Sequence, residues 1–370
     1  MPRLRVVSLA AILGLLCLVL LLTGCPKPTE QEPIRVVVSD DSQSRDERPS
    51  GASVAELAKR EGELAWYTSL PDEPAQKFLE QFERKYPGIT ARCVRESTFD
   101  IIQRIQSEID NGKVLADVVH VLDVAPFVKL KKQGQLLRYE SPEERSIPPQ
   151  YKDPGIWSAL RCVALCMAYD PNRVPDSEAP RTWTSLLDDR WRGKIALKDA
   201  QTAGSAYAHY YFLRELYGVS YWRSMAARSP KIFKTAEESM KALKSGDVAI
   251  VAGAMDYTIH DENAPDTPIR AAWPTDGVPL MPGPVAILRS APHPNAARLF
   301  MDFALSEEGQ RALRDLLGAY SVRSDVPPPE GSPNLKDLHI LAPAGGWDQY
   351  ALSQDTLKAE YTGLFHPGSE

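Results

Sequence analysis

The stretch "LAWYTSLPDEPAQKFLEQFERKYPGITARCVRE" (Leu64–Glu96) holds one strand–helix–strand unit. Leu64–Leu70 reads as a strand that ends in polar residues. The segment from Pro71 sets Phe78, Leu79, Phe82 and Tyr86 on one side at helical spacing, and Pro87–Gly88 stops it. "ITARCVRE" is a second strand. Strand, helix and strand in that order predict parallel strands with the helix packed across them.

The same alternation continues toward the C-terminus. "STFDIIQRIQSEIDNG" is a helix with Ile102, Ile105 and Ile109 in a stripe and Gly112 past its end. "ADVVHVL" is a buried strand, and "DVAPFVKLKKQG" is a short helix closed by Gly134. "RCVALCMAYD" is a strand, and "RGKIAL" leads into another. "AGSAYAHYYFLRELYG" is a helix. "TAEESMKALKSG" is a further one, with Thr235 and Glu238 at capping-box spacing. "DVAIVAG" is a strand, with "DYTIH" at its carboxyl end. Late helices follow at "NAARLFMDFALS" and "EEGQRALRDLLG", and an amphipathic stretch covers Asp348 to Leu364. The pattern is α/β, and the chain is long enough for two units.

In open α/β sheets, ligands sit beyond the carboxyl ends of the strands. Four polar loops lie there: "YTSLPDE", "VLDVAP", "KDAQTAGSA" and "MDYTIHDEN". The candidate ligand contacts are therefore Thr68 and Ser69, Asp123, Thr202, Gly204 and Ser205, and Tyr257. The turn at Thr202–Ser205 carries small side chains before a helix, so its N–H groups and the helix dipole suit an anion. Ser205 also reads as a plain N-cap, Asp123 as a cap of the next helix, and Thr68–Ser69 as turn formers. Trp183 and Trp191 read as packing residues. Of six histidines, His260 lies nearest this cleft, and none makes a metal-ligand spacing.

The chain begins with Arg3 and Arg5, an apolar run from Val6 to Leu22, and "LLTGC" ending at Cys25. This reads as a lipoprotein signal over residues 1–24 with acylation of Cys25, so the chain is anchored to a membrane rather than spanning it. Residues 25–53 are rich in proline and charge and read as a flexible tether, although Ile34–Asp40 has strand character. Cys93, Cys162 and Cys166 remain. Four residues along a strand span about 13 Å, too far for a Cys162–Cys166 disulfide, so both read as buried thiols. A net charge of −6 argues against nucleic acid as a partner. No nucleophile elbow, phosphate loop or C-x-x-C supports an enzyme, and no catalytic residue is assigned.

With "WYTSLPDEPAQKFLEQFERKYPGI", "ADVVHVLD", "TWTSLLDDRWRGKIAL", "ALKSGDVAIVAG" and "PGPVAILRSAPHPNAARLFMDFALSEEGQRAL", in order, the chain resembles extracellular solute-binding proteins of ABC importers, family 1, ferric-ion-type branch. The resemblance implies a two-lobed periplasmic-binding-protein-like fold of type II, each lobe a mostly parallel sheet flanked by helices. Lobe 1 is expected over 54–162 with about 286–335, and lobe 2 over 163–285 with the C-terminal helices to 370. Hinges are expected near Arg161–Leu165 and Pro284–Ile287. It further implies a monomer that delivers a small solute to a membrane permease and its ATPase at the outer side of the membrane. Ferric members hold iron with adjacent tyrosines after the strand matching "DVAIVAG". Here that place reads Asp256–Tyr257, and Tyr210–Tyr211 falls inside a helix. The main expectation is therefore an anionic solute: a phosphonate, a phosphorylated compound or a carboxylate. Ferric iron as the transported ligand, on Tyr257 and Asp123, is the alternative. A surface enzyme or sensor subunit on the same scaffold is a further one.

Overall fold

The computed structural model describes residues 53–266 and 268–366. The signal, Cys25 and Ile34–Asp40 lie outside the described residues. Helix α1 (Val54–Glu61) starts with a capping box between Ser53 and Glu56. The opening stretch folds as its pattern requires: β1 (Glu63–Thr68), α2 (Asp72–Lys85) and β2 (Thr90–Arg95). β1 and β2 are parallel, from Glu63 opposite Thr90 to Thr68 opposite Arg95. Helix α2 buries Ala75, Phe78, Leu79 and Phe82, one face at three- and four-residue spacing. Helix α3 (Thr98–Asp110) follows, N-capped by Ser97. Its fully buried positions are Ile101 and Ile105, whereas Ile102 and Ile109 are only partly covered. The apolar stripe is thus turned from the expected one. Strand β3 (Val118–His120) and helix α4 (Ala125–Lys132) complete the front half.

The chain then passes through β4 (Lys152–Asp153) into β5 (Trp157–Tyr169), which is buried at every position. The back half contains β6 (Ile195–Lys198), α5 (Gly204–Ala226), β7 (Lys231–Phe233), α6 (Ala236–Ser245), β8 (Ile250–Met255), α7 (Asp256–Glu262) and β9 (Arg270–Ala272). Strand β10 (Val278–Ile287) returns, followed by α8 (Pro294–Leu305), α9 (Glu307–Leu317), β11 (Ile340–Leu341), α10 (Gly346–Leu352) and α11 (Gln354–Phe365).

The main strand order is β2-β1-β3-β10-β5-β8-β6-β7. The two ends of the sheet are parallel, and β5 and β10 run antiparallel through the middle. The early part of β5 pairs with β10 up to Ala164, and its later part pairs with β8 from Leu165. Register shifts fall at Gly283/Pro284 and at Cys166/Met167. One strand therefore belongs to both halves and carries irregularities on either side of the crossing, the arrangement of hinge strands between two lobes. Cys162 and Cys166 are free and buried.

Late residues finish the front core. Phe300 of α8 lies 5.1 Å from Trp66 and 5.4 Å from Phe82, and Phe303 lies 5.1 Å from Phe78, ring centre to ring centre. Such tilted aromatic contacts add to plain burial. The last two helices bridge the halves: α10 packs on α4, and α11 packs on α5. Tyr350 of α10 is buried among Tyr207, Tyr211 and Phe212 of α5 and Ala125 of α4.

Candidate functional site

The strand ends of the two halves meet. A Cβ placed on Gly204, the first residue of α5, would lie 3.3 Å from the carbonyl oxygen of Leu122 and 3.4 Å from the Asp123 side chain. The loop after β3 thus abuts the helix that follows β6, and the space between the halves narrows to a few side chains. Glycine permits this approach because it has no Cβ.

Three polar groups of the front half and centre gather there. The Ser69 N–H donates to the His120 carbonyl (3.1 Å), so the loop after β1 is tied to the end of β3. The Thr68 hydroxyl accepts from the Leu70 N–H (3.2 Å) and lies 3.0 Å from His120 Nδ1. Either atom of this pair can be the donor, because the hydroxyl has a second lone pair as well as its proton. Burial and the charge on Arg161 hold the imidazole well below its ordinary value, so it is neutral. Its Nε2 has no partner among the described residues, nor does the Ser69 hydroxyl. Gly283 leaves room here, since a Cβ would sit 3.0 Å from His120 Nε2 and 3.5 Å from the Arg161 side chain.

Arg161 is the main charge. It lies on β5 opposite Gly283 and is 2 % exposed. Its guanidinium stands 5.1 Å from the ring centre of Tyr257, a cation–π arrangement. Its Nε and Nη1 have no partner among the described residues. Among the described residues no carboxylate forms an ion pair with it, and buried Asp256 acts on it only at longer range. Arg161 presents guanidinium donors without acceptors, and His120 Nε2 and the Ser69 hydroxyl add two unpartnered polar groups, a set whose charge complements an oxyanion.

Two buried acids lie nearby, and one of them, Asp256, keeps its Oδ2 without a partner among the described residues. Asp256 caps the edge of β5, where Ala164 N–H donates to Oδ1 (3.0 Å). Burial raises its carboxyl to about 7, against the pull of backbone N–H groups and of Arg161. Asp123 accepts from Ala125 N–H (3.0 Å) and from Gln354 of the C-terminal helices (3.3 Å), and burial raises it as well. On the far side, Lys198 at the end of β6 is buried, and its Nζ donates to the Ser205 hydroxyl (2.5 Å). Desolvation lowers this ammonium to about 8.

The predicted residues are sorted by this geometry. Ser69, Asp123, Gly204, Ser205 and Tyr257 sit on the loops and strand ends that meet. Thr68 is buried and turned into the His120 contact. Thr202 is exposed, its hydroxyl donating to the Asp199 carbonyl (3.3 Å). Ser205 is not the N-cap: Ala203 holds that position in extended conformation, and the Ser205 hydroxyl serves Lys198 instead. His260 is exposed and packs beside Gly318, so His120 is the histidine of the site. The hydroxyls of Tyr210 and Tyr211 donate to Glu360 and Glu215 (2.7 and 2.8 Å), away from the site. Trp183 donates its indole N–H to the Gly277 carbonyl and is a packing residue. Sequence reasoning did not single out Arg161, His120 or Lys198 as ligand contacts. Their signal was a charged or polar residue in or at the end of an apolar strand, where a lone charge needs a partner from elsewhere.

Among the described residues, no group of three or more His, Cys, Asp or Glu is placed to hold a metal ion, and no helix is long and apolar enough to cross a membrane. A Salmonella typhimurium periplasmic protein, whose name ascribes to it the binding of 2-aminoethylphosphonate, is 22% identical over 285 residues, 73% of this chain and 81% of that protein. AfuA from Actinobacillus pleuropneumoniae, solved with exogenous fructose-6-phosphate bound, matches with a TM-score of 0.70 at 22% identity, covering 83% of this chain and 99% of its own. Iron-bound HitA from Pseudomonas aeruginosa matches with a TM-score of 0.70 at 21% identity, covering 81% and 99%. The chain shares their fold. Residues 114–347, from the first half's last strand through the hinge and back half to the C-terminal helices, match the bacterial extracellular solute-binding protein family, and to that family the chain belongs.

Proposed function

We propose that this protein captures a small anionic solute (a phosphonate, a phosphorylated compound or a carboxylate) between its two halves and hands it to an ABC-type permease and its ATPase. The observation that carries this reading is Arg161: a buried guanidinium with two unpartnered nitrogens, at the crossing of both halves. The same observation ranks ferric iron second. An arginine against the Tyr257 ring puts positive charge where a trivalent cation would need a tyrosinate. The binding of a phosphonate ascribed to one relative and of a sugar phosphate by one fold neighbour supports the reading. In this proposal the protein is a monomer with no catalytic residue. It is held in the cell envelope by lipid on Cys25, which mass spectrometry of the membrane-bound form would detect as a diacylglyceryl adduct.

The test is calorimetry with 2-aminoethylphosphonate, fructose 6-phosphate and succinate on the wild type and Arg161→Met. At least one anion should bind. Truncating one partner of a buried charge pair costs on the order of 2–5 kcal/mol, so Arg161→Met should weaken binding at least roughly thirtyfold. A protein that binds none of these but gains a visible absorption band with ferric iron, abolished by Tyr257→Phe, would overturn the anion reading in favour of iron.

A further inference from the structure

Lys198 presents a second cation that the fold does not neutralise. It is 7 % exposed, and no carboxylate pairs with it among the described residues. One of its three N–H donors reaches Ser205. Its sequence neighbour Asp199 is occupied elsewhere, accepting from Gln201 N–H (2.9 Å) and lying 3.5 Å from His366. Ser205 is the second residue of α5, so the ammonium stands over the first turn of a long helix. That end of a helix carries the positive pole of the dipole, and its first N–H groups have no intrahelical acceptor. A lysine there is repelled rather than stabilised. One turn further along α5 lies His209, buried, with Nε2 unpartnered. Burial and the charge on Lys198 push this imidazole down to about 3, so it is neutral and does not compete with Lys198 for an anion. Ammonium and helix terminus therefore meet where the described residues put no carboxylate. The other unmatched cation, Arg161, lies on the central strand beside Gly283, and Leu122 neighbours both Gly283 and Gly204, which links the two sides.

We propose that Lys198 is a ligand-contacting residue and that the solute is a dianion, one charge held by Arg161 and the other by Lys198 with the first turn of α5. This rests on the anion reading and sharpens it. A doubly charged head group, as in a phosphate or phosphonate, and a pair of singly charged ends, as in a dicarboxylate, share this chemistry. Monoanions leave one cation unmatched and bind poorly.

The experiment compares the wild type with Lys198→Met, Lys198→Arg and Ser205→Asp. Calorimetric probes are fructose 6-phosphate, 2-aminoethylphosphonate, succinate and gluconate, a monoanion. The wild type should prefer a dianion to gluconate by at least tenfold. Preference for the first two probes assigns a single head group, and preference for succinate assigns two ends. Lys198→Met should erase the preference, weakening the dianion at least tenfold while changing gluconate less than twofold, and Lys198→Arg should restore most of it. Ser205→Asp supplies in cis the anion that Lys198 lacks. It should raise the melting temperature of the ligand-free protein and weaken the dianion, an opposition that a purely structural lysine would not produce. Dianion affinity within twofold of wild type in Lys198→Met, with the protein folded, overturns the proposal while leaving Arg161 and the anion reading intact. Binding of no anion by the wild type overturns both.

Discussion

A single lysine sets opposite pH trends for stability and for binding. Lys198 titrates at about 8 in the folded chain, below its ordinary 10.5, because it is desolvated. Between those values the unfolded chain holds the extra proton, so this residue makes the ligand-free protein more stable as pH rises through that window. An anionic ligand loses its ammonium partner over the same rise. Melting curves from pH 7.5 to 10 should therefore show wild type gaining on Lys198→Met, while calorimetry shows anion affinity falling above about pH 8 in the wild type and staying flat in the variant. Wild-type affinity that is constant across this range would place Lys198 away from the ligand. The histidines that face it do not confuse the reading at these pH values: His209 is neutral well below the window. Asp256 works in the other direction at lower pH. Its carboxyl, raised to about 7, costs stability as pH climbs from its ordinary value of 3.8 through 7, so the two residues are separable by pH.

Helix α5 shows how far an element can be read from its residues. "AGSAYAHYYFLRELYG" predicts a helix that ends at Gly218, and Gly218 does leave the helical region, with φ 72 and ψ 177. The chain nevertheless resumes helical geometry to Ala226 because Tyr221, Trp222 and Met225 are buried on the same core. A local breaker marks a kink, and only tertiary packing decides whether the helix restarts. That backbone region belongs essentially to glycine, at a cost of about 1–3 kcal/mol for other residues. A Cβ at Gly218 meets nothing closer than Ser220 Oγ at 3.9 Å. Gly218→Ala should therefore destabilise by about 1–3 kcal/mol in denaturant titrations through strain alone, and a change under 0.5 kcal/mol would refute the backbone argument. The site was less legible for the same reason. The loops could be placed from strand ends, because periodicity is local. Arg161 and His120 become a site only when β10 brings Gly283 across from more than a hundred residues away in the sequence. Ser205 reads from the sequence as a ligand contact or an N-cap, and neither reading reveals that its hydroxyl serves Lys198.

At the scale of the whole molecule, the two parallel ends of the sheet are coupled through β5 and β10, with register shifts at Cys166/Met167 and Gly283/Pro284. Closure by bending at such points is the usual movement of hinged halves. X-ray scattering should give a smaller radius of gyration with a bound anion than without, and an unchanged radius at full occupancy would count against a hinge. The C-terminal helices cross from one half to the other, and Gln354 reaches Asp123, so closure must carry α10 and α11 with it. The sheet order has one more consequence, and it falls on synthesis rather than on binding. Strand β3 has β10 as its neighbour, and Trp66, Phe78 and Phe82 wait for Phe300 and Phe303. A nascent chain cannot complete its front core until residue 305 or so has left the ribosome. Pairings this distant in sequence fold slowly. The front half thus gains its full aromatic core only when most of the polypeptide has been made.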